Sequence, residues 1–224
     1  MNKTKVFSQK ESYQEGKTFT FSKNPDSYLQ SFGLIDVKKI EPSIEVILAY
    51  STKNNILKKD MYGNLLKCYL PSPVAEKLKI AQNFIKSNNP KLSLLILDGS
   101  RPLHIQKWMW DSLLIPVSIK KNYLTPPETI SLHNYGAAVD VTLIDEKGKL
   151  LDMGSPYDYF GEISKPSKEL FFKEKGLLTD IHLKNRMILR EAMKKAGFQM
   201  ISSEWWHFNF CSRSEAAKKF KLIP

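Results

Sequence analysis

Residues 131–144, SLHNYGAAVDVTLI, have the texture of a buried strand, yet Asp140 sits between Val139 and Val141, with His133 just ahead. No other stretch restricts the fold as tightly. An ionised carboxylate taken out of water is costly unless a cation or hydrogen bonds compensate it. The fold must therefore bring to this strand either a hidden basic side chain or a metal ion. His133 and Asp140 are seven positions apart, and an extended chain at about 3.3 Å per residue would separate them by roughly 23 Å. Ligands of one zinc ion each sit about 2 Å from it, so a shared ion requires the chain to fold back. Gly136 is where it can, because glycine adopts backbone angles that other residues avoid. His133 then lies on a turn and Asp140 on the strand.

The chain has four histidines. His207, in SEWWHFNF, follows Glu204 by three positions. In a regular strand an odd offset sends two side chains to opposite faces, so a shared site demands a kink or bulge at Trp205–Trp206. Two histidines and one carboxylate, with a fourth position left for water, form a catalytic zinc pattern. Glu204 is then free to act as general base. The residues alone leave alternatives open: ordinary core histidines, Asp140 paired with a buried arginine, Glu204 at the surface, and Arg101 in a structural salt bridge of the turn DGSRP.

The remaining chain supports one sizeable core. Residues 1–43 are polar and weakly patterned and read as an arm wrapping a domain over 44–224. SIEVILAY reads as a strand ending at Tyr50, and the segment around Gly63 as a hairpin or loop. Ser72 is expected as N-cap with Pro73 at the first helical position, opening a helix with Val74, Leu78, Ala81 and Ile85 on one face, stopped by Asn88-Asn89-Pro90. LSLLILD (92–98) fits a central strand, 103–115 a helix, and DEKGK a hairpin turn after the Asp140 strand. Residues 155–180 are broken by proline and glycine, and a connection that long is expected to be a lid or binding loop. A helix over 182–197 closes at Gly197, and a strand comes next around Glu204 and His207. Strands and helices mix without βαβ alternation, so the fold class is α+β.

The formal charge is +11, from 34 Lys+Arg against 23 Asp+Glu. The lysines are dispersed, without a basic block or nucleic-acid motif, so no nucleic-acid partner is expected. No apolar run reaches the ~18 residues of a membrane helix, and no membrane partner is expected either. The first 21 residues lack an apolar core typical of a leader; this points to the cytoplasm, with the periplasm as alternative had a leader been removed. Cys68 and Cys211 read as reduced thiols, with a single bridge as the alternative. Nothing in the pattern specifies an oligomeric state.

SLHNYGAAVDVTL, DGSRP, DMGSPYDYF and SEWWHF, in this order, resemble the D-alanyl-D-alanine dipeptidases of the VanX type. The resemblance runs from about Tyr50 to Phe210 and implies the fold shared with D,D-carboxypeptidases and hedgehog domains, a central mainly antiparallel sheet flanked by helices. It implies one zinc per chain held by His133, Asp140 and His207, Glu204 as catalytic base, and Arg101 as stabiliser of the oxyanion. Asp158 matches the acid that receives the free ammonium of a small D,D-dipeptide, and Tyr50 and Ser131 fall where the family lines its pocket. Leu132 stands where many relatives have a second serine, which removes one hydrogen bond to substrate. The implied reaction is hydrolysis of D-Ala-D-Ala to two D-alanines. The rivals are a zinc D,D-carboxypeptidase acting on longer cell-wall peptides and a non-catalytic zinc-stabilised binding module.

Overall fold

The computed structural model describes residues 23–121 and 124–224. Among these residues the helices are α1 (Pro25–Ser31), α2 (Val37–Ile40), α3 (Ser72–Asn88), α4 (Leu103–Ser112), α5 (Val117–Lys120), α6 (Glu169–Glu174), α7 (Asp180–Lys195) and α8 (Arg213–Lys219). The strands are β1 (Ile35–Asp36), β2 (Glu45–Val46), β3 (Tyr69–Leu70), β4 (Leu92–Asp98), β5 (Ala138–Asp145), β6 (Gln199–Met200) and β7 (His207–Asn209). Five strands form one sheet in the order β2-β4-β5-β7-β6, and β1 pairs with β3 apart from it. Only β2 runs parallel to its neighbour in that sheet. This is the expected α+β fold with a mainly antiparallel sheet.

The alternation of β5 shows how Asp140 is accommodated. Val139, Val141 and Leu143 enter the main core with Leu94 and Ile96 of β4. At a period of two, Asp140 faces the other side of the sheet. Its register partner on β7 is His207, and on β4 it is Asp98. The β4–β5 register slips between Ile96 and Asp98; such bulges re-aim side chains next to sites, and this one sets the two carboxylates opposite each other. The core side is covered by α3, which packs on β4 and α7. Val74, Ala75, Leu78, Ala81 and Ile85 form its buried stripe, and each large apolar side chain so buried contributes about 1.5–3 kcal/mol. Gln82, also fully buried, accepts from the Leu94 N–H and donates to Ser43, tying the helix to the start of β4.

Several elements differ from the sequence reading. Residues 1–22 of the expected arm lie outside the described residues; residues 23–43 form α1, β1 and α2 and send Leu29, Leu34 and Val37 into the main core. SIEVILAY gives the sheet only Glu45–Val46. The Tyr50 carbonyl accepts from the N–H groups of Met61 and Tyr62, which pulls Ala49–Ser51 into a 3-10 turn. Ser72 is the first residue of α3, not its cap; Pro71 takes that place and offers no side-chain bond. The helix from 103 ends at Ser112, and Leu113 turns extended ahead of Pro116. The 155–180 connection holds two 3-10 turns and α6. It is anchored by Arg186 of α7, 2 % exposed, which donates to the carbonyls of Met153 and Ile163, to Ser155 and to Glu169. The C-terminal α8 was unread, although Ser212 and Glu215 form its capping box in the S-x-x-E pattern. Cys68 and Cys211 are buried and free. No helix among the described residues is long and apolar enough to cross a membrane.

Candidate metal centre and active site

The site begins with a local turn. The Ser131 hydroxyl accepts from the His133 N–H, and the Asn134 side chain accepts from the Ser131 N–H, winding Leu132–Tyr135 into a 3-10 turn. Gly136 ends it at φ +63°, in the left-handed region that glycine enters freely. A Cβ there would lie 2.5 Å from Ser100 Oγ and 2.7 Å from Pro71 Cδ. This is the fold-back between His133 and Asp140. On the other side of the site, β7 starts only at His207. Before it, the Trp205 N–H donates to the Ser164 carbonyl and the Trp206 carbonyl accepts from Val141. The chain is therefore irregular up to His207, and Glu204 reaches the same site, its carboxylate 4.0 Å from His207 Nδ1.

Three side chains converge. His207 Nδ1 lies 3.0 Å from Asp140 Oδ1 and 3.2 Å from His133 Nε2, and His133 Nε2 lies 3.5 Å from Asp140 Oδ1. All three ligand atoms fall within 4.8 Å of one another. Their outer partners fix which lone pairs point inward. His133 Nδ1 donates to the Gly99 carbonyl at 2.8 Å, leaving the Nε2 lone pair toward the site. His207 Nε2 donates to Asn209 Oδ1 at 2.7 Å, leaving that of Nδ1. Tyr157 OH donates to Asp140 Oδ2 at 3.0 Å, leaving Oδ1. Three acceptors aimed at one point repel one another unless a cation or shared protons lie between them, so the donor set fits a metal ion, and its chemistry suits zinc. Burial pushes the Asp140 carboxyl up, but the charges and hydrogen bonds of His133 and His207 outweigh it and hold it well below the usual carboxylate range. Burial raises Glu204 to about 7, with His207 opposing and Asp140 and Asp158 adding to the rise.

Arg101 is 5 % exposed. Its Nε donates to Asp98 Oδ2 at 3.0 Å, its Nη2 to the same oxygen, and its Nη1 to Gln106 at 2.8 Å. The guanidinium lies 5.0 Å from the Tyr50 ring centre. Asp158 has the left-handed φ of +60°, and its Oδ2 accepts from Tyr50 OH at 3.1 Å and from the Ile56 N–H at 2.8 Å. Burial raises its carboxyl to about 6 against those donors and Arg101.

Every sequence-read site residue (Tyr50, Arg101, Ser131, His133, Asp140, Asp158, Glu204 and His207) lines one cavity of about 270 Å³. Sequence reasoning missed those that hold them: Asp98 and Gln106 behind Arg101, Tyr157 behind Asp140, and Asn209 behind His207. Asp98 had a legible signal, an acid closing the apolar run LSLLILD. Tyr157 lies within the motif DMGSPYDYF, next to Asp158, whereas nothing in the spacing of Asn209 singles it out.

Comparison with known proteins agrees with this picture. The peptidase family M15, described as D-Ala-D-Ala dipeptidase, matches residues 30–222. A D-alanyl-D-alanine dipeptidase of Escherichia coli (strain K12) is 33 % identical over 182 residues, covering 78 % of this chain and 83 % of that protein. One from Enterococcus faecium is 34 % identical over 180 residues, 71 % and 82 % of the two chains. One from Synechocystis is 27 % identical over 171 residues, 62 % and 68 %. With the match spanning fold and cavity together, this chain belongs to the D-Ala-D-Ala dipeptidase family of peptidases.

Proposed function

We propose that this peptidase hydrolyses D-alanyl-D-alanine to two D-alanines with one zinc ion held by His133, Asp140 and His207. The observation that carries the reading is the convergence of three inward lone pairs beside a second carboxylate, that of Glu204. The chemistry a bound zinc supplies is Lewis-acid polarisation of the scissile carbonyl and of the attacking water. Glu204 takes the proton that water loses and delivers it to the nitrogen of the breaking C–N bond, so the second alanine leaves as an amine. Arg101, held by Asp98 and Gln106, keeps N–H groups free for the developing oxyanion, a contribution of about 10²–10³ in rate for one donor. Asp158 receives the substrate ammonium, with Tyr50 shaping that end of the cavity. Ser131 fixes the His133 turn and lines the cavity with it. Trp206, 2 % exposed, helps to keep bulk water out.

A carboxypeptidase acting on longer peptides would need an acyl chain to pass where Asp158 stands, 9 % exposed against Tyr50 and Ile56. A buried carboxylate there favours a free ammonium instead. A non-catalytic zinc module has no use for Glu204 or Arg101 in the same cavity. The test is metal analysis of the purified protein together with an assay of D-Ala-D-Ala hydrolysis. One zinc per chain and turnover of the free dipeptide are expected; a zinc-loaded protein that leaves the dipeptide intact would refute the reading.

A further inference from the structure

A free dipeptide carries a carboxylate as well as an ammonium, and a cavity that selects it needs a donor for each. On the dipeptidase reading, which the second anchor presupposes, Asp158 serves the ammonium. Few charged donors remain for the other end. Arg101 commits three N–H groups to Asp98 and Gln106, and on that reading the remaining ones serve the oxyanion. The Ser131 hydroxyl accepts from the His133 N–H and keeps its proton to donate, but it is neutral, and Leu132 is apolar. The lining also holds three acids, Asp140, Asp158 and Glu204, which repel an anion, so a carboxylate there calls for a cationic partner.

We infer that Arg213, assisted by Lys121, forms the subsite for the substrate's α-carboxylate. Both line the cavity, both are exposed, and neither has an ion-pair partner among the described residues. The placement of Arg213 follows from packing. Ala216, one turn further along α8, is buried in a small cluster with Tyr135 and Ala137, and residues three apart share a helix face. Arg213 is thereby turned toward the 3-10 segment that carries His133. The acid nearest in sequence, Glu215, is engaged elsewhere, accepting from the Ser212 N–H and hydroxyl, so Arg213 stays free for a ligand.

The topology puts the two anchors on opposite flanks of the metal ligands. Asp158 is held by Tyr50, whose turn lies against β4, whereas Arg213 follows β7 on the far side of β5 in the sheet order β2-β4-β5-β7-β6. A dipeptide stretched between them lays its amide across His133, Asp140 and His207. The class of ligand is thus a short peptide with both ends free.

Arg213→Gln, Lys121→Gln and the double substitution change exposed side chains and leave the core intact. The measurement is kcat and KM on D-Ala-D-Ala and on its C-terminal amide, for the zinc-loaded wild type and each variant. In the double variant KM for the free acid is expected to rise roughly ten- to hundredfold, the range set by charge-assisted hydrogen bonds, with kcat little changed. The amide is expected to be a poor substrate for the wild type and no poorer for the variant, so the preference for the acid collapses. An acid-over-amide preference that is as large in the double variant as in the wild type overturns the inference, while dipeptidase activity itself survives. A zinc-loaded wild type that cleaves neither compound overturns the dipeptidase reading and this subsite with it.

Discussion

Replacing Asp158 by Asn separates function from stability in opposite directions. Asparagine tolerates the left-handed backbone of this position, and its side-chain oxygen can accept from Tyr50 OH and the Ile56 N–H as the carboxylate does. What changes is the charge. The folded carboxyl titrates at about 6, against an ordinary value of 3.8, a gap worth roughly 3 kcal/mol at about 1.36 kcal/mol per pKa unit. The raised value means that the folded protein binds this proton more tightly than the unfolded chain. Stability therefore falls as pH rises from about 3.8 to about 6, and above that the cost of the buried charge is fully present. Asp158→Asn escapes it, so the substrate-free variant should be more stable than wild type at pH 8, by up to about 3 kcal/mol, and equal to it near pH 3. For the reaction the sign reverses. Removing one partner of a desolvated charge pair costs about 2–5 kcal/mol, so kcat/KM on D-Ala-D-Ala should fall by tens to thousands of times, while N-acetyl-D-Ala-D-Ala, already poor, changes little. Urea unfolding at the two pH values and kinetics on both substrates make the test. A variant that is destabilised at pH 8, or that keeps wild-type kcat/KM on the free dipeptide, refutes the assignment of Asp158 as a buried ammonium receptor.

Four further outcomes are expected. His207→Ala removes one of three converging ligands and should abolish tight metal binding together with activity; full zinc occupancy by metal analysis would exclude His207 from the centre. Glu204→Gln should keep its zinc and lose about 10²–10⁴-fold in kcat, the usual contribution of a general acid–base group, and loss of zinc instead would make Glu204 a ligand. Gly136→Ala, forced to φ +63° with its Cβ against Ser100 and Pro71, should cost about 1–3 kcal/mol in denaturant unfolding and weaken zinc binding; an unchanged midpoint would contradict the tight fold-back. Arg186→Lys keeps the charge but not the fork that joins Met153, Ser155, Ile163 and Glu169, and should lose on the order of 2 kcal/mol while raising KM for the dipeptide through the loosened Asp158 segment. A variant with wild-type stability and KM would show that the segment holds itself.

What was legible in the chain was what desolvation makes conspicuous. A carboxylate among valines, a glycine where a chain must reverse, and a tryptophan pair where strand alternation had to fail each pointed to a specific geometry. Those geometries are present at Asp140, Gly136 and Trp205–Trp206. The elements misread were those decided by distant partners. The strand ending at Tyr50 was cut short because its carbonyl is claimed by Met61 and Tyr62, which lie beyond any local window. Residues 23–43 looked like a polar arm because Leu29, Leu34 and Val37 are too sparse to make a periodic signal, although each ends in the main core. The supports Asn209 and Tyr157 are ordinary polar residues until strand β7 and the loop after β5 set them beside His207 and Asp140.

Asp98 is the instructive omission, because it poses the same problem as Asp140 and solves it differently. LSLLILD carries an acid at the end of an apolar run just as AAVDV carries one inside it, and both side chains are taken out of water, 0 % and 3 % exposed. An acid so placed needs a hidden basic partner, a cation or hydrogen-bond donors to compensate it. Asp98 has the basic partner: Arg101 binds one oxygen, and Tyr62 OH and the Gly99 N–H bind the other. Asp140 has instead two histidines whose lone pairs converge with its own. The bulge in β4 makes these two acids register partners, so one pair of adjacent strands supports both halves of the cavity's chemistry. Asp98 holds the arginine and, through the neighbouring Gly99 carbonyl, orients His133, while Asp140 faces the two histidines of the candidate metal centre. A substitution at Asp98 should therefore disturb Arg101 and His133 together, which neither residue's own position in the chain would suggest.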